Sequence, residues 1–232
     1  QLHTEVSQLL TSIDESMSTY VESSIISGLN RSEGDWFQVD DLFMRVLLSA
    51  IDVAQETEGA FDPTIGSVVQ LWGFGYNEIR GDISEQNVQE ALENTGFEQI
   101  NVDSLRSSVR IPEEFSIDFN AIAQGFSVDT LALLLESKSI KNYYVELGGE
   151  VRAHGYNAQG EYWKIGIDRP NDASTVSREL HALISMNNQS LATSGNYRKY
   201  WVDKQTGIKY AHTINPKTGR PAMNQLLSAS IL

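Results

Sequence analysis

The sequence has no cysteine among its 232 residues. Disulfide bonds and thiolate metal sites are therefore excluded, although the absence does not indicate the redox compartment. No stretch approaches the roughly 18 to 20 apolar residues that a membrane-spanning helix needs. The sequence consequently predicts no transmembrane segment.

Basic residues are also scarce. The chain has 17 Lys and Arg against 31 Asp and Glu, which gives a formal net charge of −14. Nucleic acid is not expected as a partner, because affinity for a phosphate backbone comes from clustered basic residues. An anionic small ligand would need local donors, helix N-termini or a metal to attract it.

The remaining composition is that of a globular protein, with 41% hydrophobic and 21% charged residues. We find no internal repeat, low-complexity tract or linker, so the sequence predicts one domain over 1–232. Predicted helices cluster early in the chain and predicted strands late. This order favours an α+β fold with a mixed, largely antiparallel sheet.

Hydrophobic periodicity and capping residues predict four main helices. The first covers 4–18, the second 40–57 with Asp40 as N-cap, and the third follows Ser84. A fourth begins with Asn120 as N-cap, after a strand. The stretch 143–152 predicts two strands separated by a glycine kink, and further strands are predicted at 163–168 and 181–186.

The stretch 190–221 predicts two strands around a turn, followed by a second turn at 215–219. His212 would lie near a strand end. Histidine there can accept a proton at physiological pH, but a lone histidine in a strand is more often a packed or exposed structural residue.

Three other places allow both a structural and a binding interpretation. Trp72 and Phe74 can be core residues, or aromatic rings that stack on a flat ligand. The glycines at 148 and 149 form a bulge or let a ligand approach. Small residues at 121–125 allow close helix packing, or aim helix amides at an anion.

Taken together, several segments resemble the ApbE family of FAD:protein FMN transferases, which split FAD with magnesium and move FMN onto a protein threonine. In chain order these segments are MSTYVESSIISGLN, GAFDPTIG…LWGFG, DFNAIAQGFSVD, ELGGEVR, and TSGNYR with YAHTINPKTGRP. They extend over roughly residues 5 to 230 in the family order. The resemblance implies the family's α+β fold.

The resemblance also implies roles for individual residues. His212 would be the base that prepares the acceptor hydroxyl, and Thr193 a pocket residue near the phosphates. The carbonyl of Ala121 would bind Mg²⁺. The remaining residues would line the FAD site: Met17, Ser18, Tyr20, Trp72, Phe74, Gln124, Asp129, Glu146 and Gly148.

The sequence departs from the family pattern in three ways. Val21 stands where an aspartate is usual, and Gln124 replaces the commoner lysine, so a charged phosphate contact is lost there. The family's first strand and the C-terminal segment whose Asp and Thr complete the magnesium site have no counterpart in these 232 residues. We therefore expect the chain as written to bind magnesium poorly.

Other functions stay open at this point. With water as acceptor, the same site would be a magnesium-dependent FAD pyrophosphatase, and without chemistry it would be an FAD-binding protein. A hydrolase using Ser194 is disfavoured because the sequence has no nucleophile elbow.

The resemblance implies an acceptor protein such as a subunit of a membrane redox complex. It also implies the bacterial periplasm or the outer face of the inner membrane, with a lipid anchor as an option and a leader that is not in this chain.

Overall fold

A computed structural model describes residues 1–76, 80, 82–170, 179–197 and 199–232. Arg198, in the segment TSGNYR, lies outside the described residues. The helices are α1 Leu2–Met17, α2 Ile25–Leu29, α3 Asp41–Glu56, α4 Gly66–Leu71, α5 Glu85–Glu93 and α6 Ala123–Ser137. The strands are β1 Phe37–Gln38, β2 Asn101–Asp103, β3 Ser108–Arg110, β4 Tyr143–Leu147, β5 Glu150–His154, β6 Trp163–Asp168, β7 Leu180–Met186, β8 Gln189–Gly195, β9 Tyr200–Val202, β10 Lys209–Ala211, β11 Ile214–Asn215, β12 Arg220–Pro221 and β13 Ser228–Ile231.

The chain divides into two compact units. The first contains Gln1, His3–Ala123 and His212–Ala222, and the second contains Leu2, Gln124–Ala211 and Met223–Leu232. Within the described part of the chain, no helix is both long and apolar enough to cross a membrane.

The first unit is built around α3. Asp40 begins this helix by accepting a hydrogen bond from the Phe43 amide at 2.7 Å, and Ser16 donates to the same carboxylate oxygen at 2.8 Å. The helix buries one apolar stripe, and the Phe43 ring lies 5.1 Å from the ring of Phe119. A small antiparallel sheet of order β1-β3-β2 and the β11-β12 hairpin complete the unit.

The second unit contains a four-stranded antiparallel sheet of order β13-β8-β5-β4. The β6-β7 pair packs on one face of this sheet, through a cluster formed by Val151, Ala153, Ile165, Met186 and Leu191. Helix α6 contacts the same sheet where the Tyr143 hydroxyl donates to Glu136 at 2.5 Å.

The α+β prediction is confirmed, and most predicted elements are present within a few residues. The start of α6 is wrong: the helix begins at Ala123, because Asn120 directs its backbone and side-chain amides to Asp118 at 2.6 and 2.9 Å instead of capping. The single-domain interpretation stays a prediction.

Candidate functional site

His212 lies in the first unit, one residue after β10 and two before β11, as its sequence context predicted. Its ring is partly buried and meets Phe74 edge to face, with 6.3 Å between ring centroids. Edge-to-face contact is a favourable geometry for two aromatic rings. The arrangement places a histidine beside an aromatic ring at the end of a strand.

Trp72, the C-cap of α4, is a core residue. Its indole N–H donates to the Gly219 carbonyl at 2.7 Å, and the residue is only 2% exposed. Phe74 is 5% exposed. The hydrogen bond to Gly219 supports the core interpretation of Trp72. Stacking of either ring on a flavin or an adenine stays a prediction.

The DPT segment before α4 is held by its own side chains. The Thr64 hydroxyl donates to Asp62 at 2.6 Å and accepts from the Gly96 amide at 2.7 Å. The other oxygen of Asp62 accepts from the Phe97 amide at 3.2 Å. Both side chains are buried, so this network fixes the loop that leads to Trp72 and Phe74.

Met17, Ser18 and Tyr20 follow the end of α1 and differ in exposure. Met17 is buried, whereas Tyr20 is 59% exposed. Ser18 is the C-cap, and its carbonyl accepts a hydrogen bond from Ser24 at 2.8 Å. Of the three predicted pocket residues here, Tyr20 has the side chain most accessible to a ligand.

Ala121 lies in an exposed turn just before α6. Throughout the described ranges, no group of three or more His, Asp or Glu side chains is placed to hold a metal ion. The Ala121 carbonyl is the one magnesium ligand that the resemblance places in this chain, and its role stays a prediction.

In the second unit, the structure brings Gln124 and Gly148 together. A Cβ built on Gly148 would lie 2.2 Å from the Gln124 amide nitrogen, so the side-chain amide rests against the glycine backbone. Gly148 and Gly149 have φ values of +65° and +109° and form the turn between β4 and β5. Gln124 is in the first turn of α6, where the amides of a helix start attract anions.

Asp129, five residues further along α6, faces Arg152 of β5. The carboxylate lies 3.7 Å from the guanidinium, which also donates to the Ser190 hydroxyl at 3.1 Å. Arg152 is not among the site residues predicted from the sequence. In the segment ELGGEVR, Arg152 comes two residues after Glu150 and directly after the buried Val151. Strand alternation, which puts Arg152 on the face opposite Val151, is the signal in the sequence that could have identified it.

Glu150 is a second residue that the sequence analysis missed. Its Oε2 atom is buried and has no hydrogen-bond partner. Burial raises the pKa of this carboxyl above its ordinary value, and the nearby Glu146 raises the pKa further, against an opposing backbone hydrogen bond. Glu146 itself is exposed on β4. An acidic pair therefore flanks the Gly148–Gly149 turn.

Thr193 lies on β8, and its hydroxyl is 2.8 Å from that of Ser230 on β13. Strand β8 runs antiparallel to β5, and Leu191 pairs with Val151. Thr193, two residues further along β8, therefore lies toward the Gly148–Gly149 turn. Ser194 follows within the same strand and not at a strand-to-helix turn, so the structure contains no nucleophile elbow there.

The predicted site residues thus fall into two groups. Met17, Ser18, Tyr20, Trp72, Phe74, Ala121 and His212 belong to the first unit; Gln124, Asp129, Glu146, Gly148 and Thr193 belong to the second. Within the second unit, Gln124, Gly148, Glu146 and Thr193 gather around one turn of the sheet. Their roles toward FAD stay predictions.

Comparison with known proteins identifies relatives over the whole chain. Residues 1–232 match the ApbE family. The chain is 39% identical over 236 residues to the FAD:protein FMN transferase of Vibrio cholerae serotype O1, covering 100% of this chain and 68% of the relative. It is 36% identical over 237 residues to the FAD:protein FMN transferase of Haemophilus influenzae, covering 99% of this chain and 67% of that relative.

Solved structures give the same result for the fold. The flavin transferase ApbE from Vibrio cholerae matches with a TM-score of 0.85 and 35% identity, over 99% of this chain and 72% of that one. The ApbE protein from Thermotoga maritima matches with a TM-score of 0.88 and 29% identity, over the same shares of the two chains. The chain therefore spans about two thirds of the curated relatives that it matches.

Proposed function

Because the chain belongs to the ApbE family, we propose that it transfers FMN from FAD to a threonine of an acceptor protein and releases AMP. The observation that carries the proposal is the match of the whole chain, at 39% identity, to a protein named FAD:protein FMN transferase. FAD is the substrate, and the acceptor is a second protein.

The proposed reaction is a phosphoryl transfer. The acceptor hydroxyl oxygen attacks the phosphorus on the FMN side of the pyrophosphate, and the bond from that phosphorus to the bridging oxygen breaks. AMP leaves with the bridging oxygen. The proton of the hydroxyl passes to the imidazole of His212, which lies edge to face with the Phe74 ring.

The second unit supplies candidates for binding FAD. With a net charge of −14, the protein repels a dinucleotide at long range, so local donors, helix N-termini or a metal are needed to attract it. The Gln124 amide, at the start of α6, can donate to a phosphate oxygen. The Gly148–Gly149 turn lacks side chains and permits close approach of the ligand.

Magnesium dependence is part of the proposal and is supported by the family resemblance. When bound, Mg²⁺ would neutralise the pyrophosphate charge. Beyond the Ala121 carbonyl we propose no ligand for it, since the described side chains form no metal cluster.

The acceptor and the cellular location are proposals of the same kind. We propose a subunit of a membrane redox complex as acceptor, and the bacterial periplasm or the outer face of the inner membrane as the location. The bacterial sources of the matched transferases support this setting.

The test measures AMP release and FMN attachment, using FAD, Mg²⁺ and a threonine-containing acceptor peptide, followed by mass spectrometry. His212→Ala should lower kcat for transfer by roughly 10² to 10⁴, the usual contribution of a general base. His181→Ala, on the exposed face of β7, is the matched control and should retain activity.

Three other outcomes would change the proposed function or the role of His212. AMP and free FMN without labelled peptide would indicate an FAD pyrophosphatase. FAD binding without AMP would indicate a binding protein. Equal activity of the His212→Ala and His181→Ala variants would show that His212 is not the base.

A further inference from the structure

Basic residues are concentrated in one part of this acidic protein. Between 190 and 221 there are six Lys and Arg residues and one acidic residue, Asp203, whereas the whole chain carries −14. Within the second unit, this region forms the hairpin of β9 and β10, which pair antiparallel from Tyr200 to Ala211.

The single acid of the hairpin is used to build its turn. One oxygen of the Asp203 carboxylate accepts from the amides of Gln205 and Thr206 at 2.8 and 2.7 Å. The Gly207 amide donates to the Asp203 carbonyl at 2.8 Å, and Gly207 has a φ of +70°. The turn is therefore fixed, and the exposed Lys204 at its tip projects from a rigid support.

One face of the hairpin combines apolar surface with positive charge. Tyr200 and Val202 are 40% and 48% exposed and lie on the same face of β9. Lys209, opposite Val202, places its ammonium 3.8 Å from the centre of the Tyr200 ring. This cation–π contact directs the charge over the exposed face. Lys199, just before β9, is exposed as well.

We propose that the exposed surface of the β9–β10 hairpin, made by Tyr200, Val202, Lys204 and Lys209 together with Lys199 just before β9, docks an acidic segment of the acceptor protein next to its threonine. Charge complementarity identifies the partner. At about 0.1 M salt the Debye length is about 10 Å, so nearby lysines outweigh acids farther away on the protein. Strand β10 ends one residue before His212, so the docking strand is continuous in sequence with the proposed base.

This inference rests on the proposed transferase function and names its partner surface. Two synthetic peptides serve as probes: one threonine peptide with aspartates on both sides, and the same peptide with asparagines instead. The variant K199E/K204E is compared with K138E/K141E, which makes the same charge change on exposed lysines elsewhere in the second unit.

For K199E/K204E we expect KM for the aspartate peptide to rise about tenfold, with kcat, FAD affinity and the KM for the asparagine peptide unchanged. K138E/K141E should behave as wild type. Thermal unfolding checks that both variants are folded.

Equal KM values for the two double variants would overturn the docking proposal while leaving FMN transfer by the wild type intact. A change in FAD affinity confined to K199E/K204E would also overturn it, because the hairpin would then serve the dinucleotide. Loss of binding to anionic phospholipid vesicles with an unchanged peptide KM would instead assign the hairpin to a lipid surface. Absence of FMN transfer by the wild type would refute the proposed function itself.

Discussion

The side-chain amide of Gln124 occupies the space that a Cβ on residue 148 would need, 2.2 Å from the amide nitrogen. The φ of +65° at Gly148 disfavours a side chain there, and an added Cβ would make the flexible end of the Gln124 side chain shift. The contact joins the start of α6 to the turn between β4 and β5.

Gly148→Ala should weaken FAD binding because it displaces the Gln124 amide. The backbone strain of a non-glycine residue at positive φ costs about 1 kcal/mol. Gly160→Ala is the matched control, with a φ of +78° and nothing within 4 Å of the added Cβ. Unfolding measurements should give similar stability losses for both variants, whereas FAD titration should show reduced affinity only for Gly148→Ala. Equal FAD affinities would contradict a role for this contact in binding.

Trp72→Phe should lower the free energy of unfolding by about 2 to 3 kcal/mol, because it removes a buried donor to the Gly219 carbonyl and leaves space in the core. Trp36→Phe, at a 51% exposed position, should cost under about 1 kcal/mol. Denaturant titration measures both. A strong loss of FAD affinity by Trp72→Phe without loss of stability would show instead that the indole contacts the ligand.

Thr64→Val should destabilise the protein by about 2 to 4 kcal/mol. The change leaves the Gly96 amide without its acceptor and Asp62 without its 2.6 Å donor, all in a buried loop. Thr57→Val makes the same change of atoms at an exposed helix end and should cost under about 1 kcal/mol. Similar unfolding midpoints for the two variants would show that the network does not stabilise the loop.

Glu150 predicts a pH effect on stability. Burial raises its pKa in the folded state, so the folded protein retains this proton when the unfolded chain has lost it. The stability that this group contributes is full below the ordinary pKa of 4.5 and is lost as the pH rises through the raised value. The melting temperature of Glu150→Gln, relative to wild type, should therefore increase between pH 4 and pH 7.

Glu161 provides a control of opposite sign. Its hydrogen bond to Lys164 lowers its pKa, so its contribution is present above the ordinary value and is lost as the pH falls. Because the Glu161 side chain is exposed to solvent, the change in melting temperature for Glu161→Gln should be small and of opposite sign. If the melting temperature of Glu150→Gln relative to wild type did not change with pH, burial of the Glu150 carboxyl oxygen would have no effect on stability.

Local patterns were sufficient for much of the fold. The Asp40 cap and the apolar stripe behind it predicted α3, and the glycines at 207 and 219 predicted two turns that the structure contains. The start of α6 was not predictable in this way, because the choice of Asn120 between capping and binding Asp118 depends on how the preceding loop is placed.

The sequence by itself determined the family and the chemical identity of the candidate site, since ordered motifs carry side-chain types and spacing. Tertiary structure decided which of those side chains meet. The burial of Trp72 against Gly219, 147 residues away in sequence, the unpaired oxygen of Glu150 and the contact of Gln124 with Gly148 all arise from long-range packing. Periodicity and capping report only on neighbours within a few residues, so a sequence pattern holds no record of such contacts.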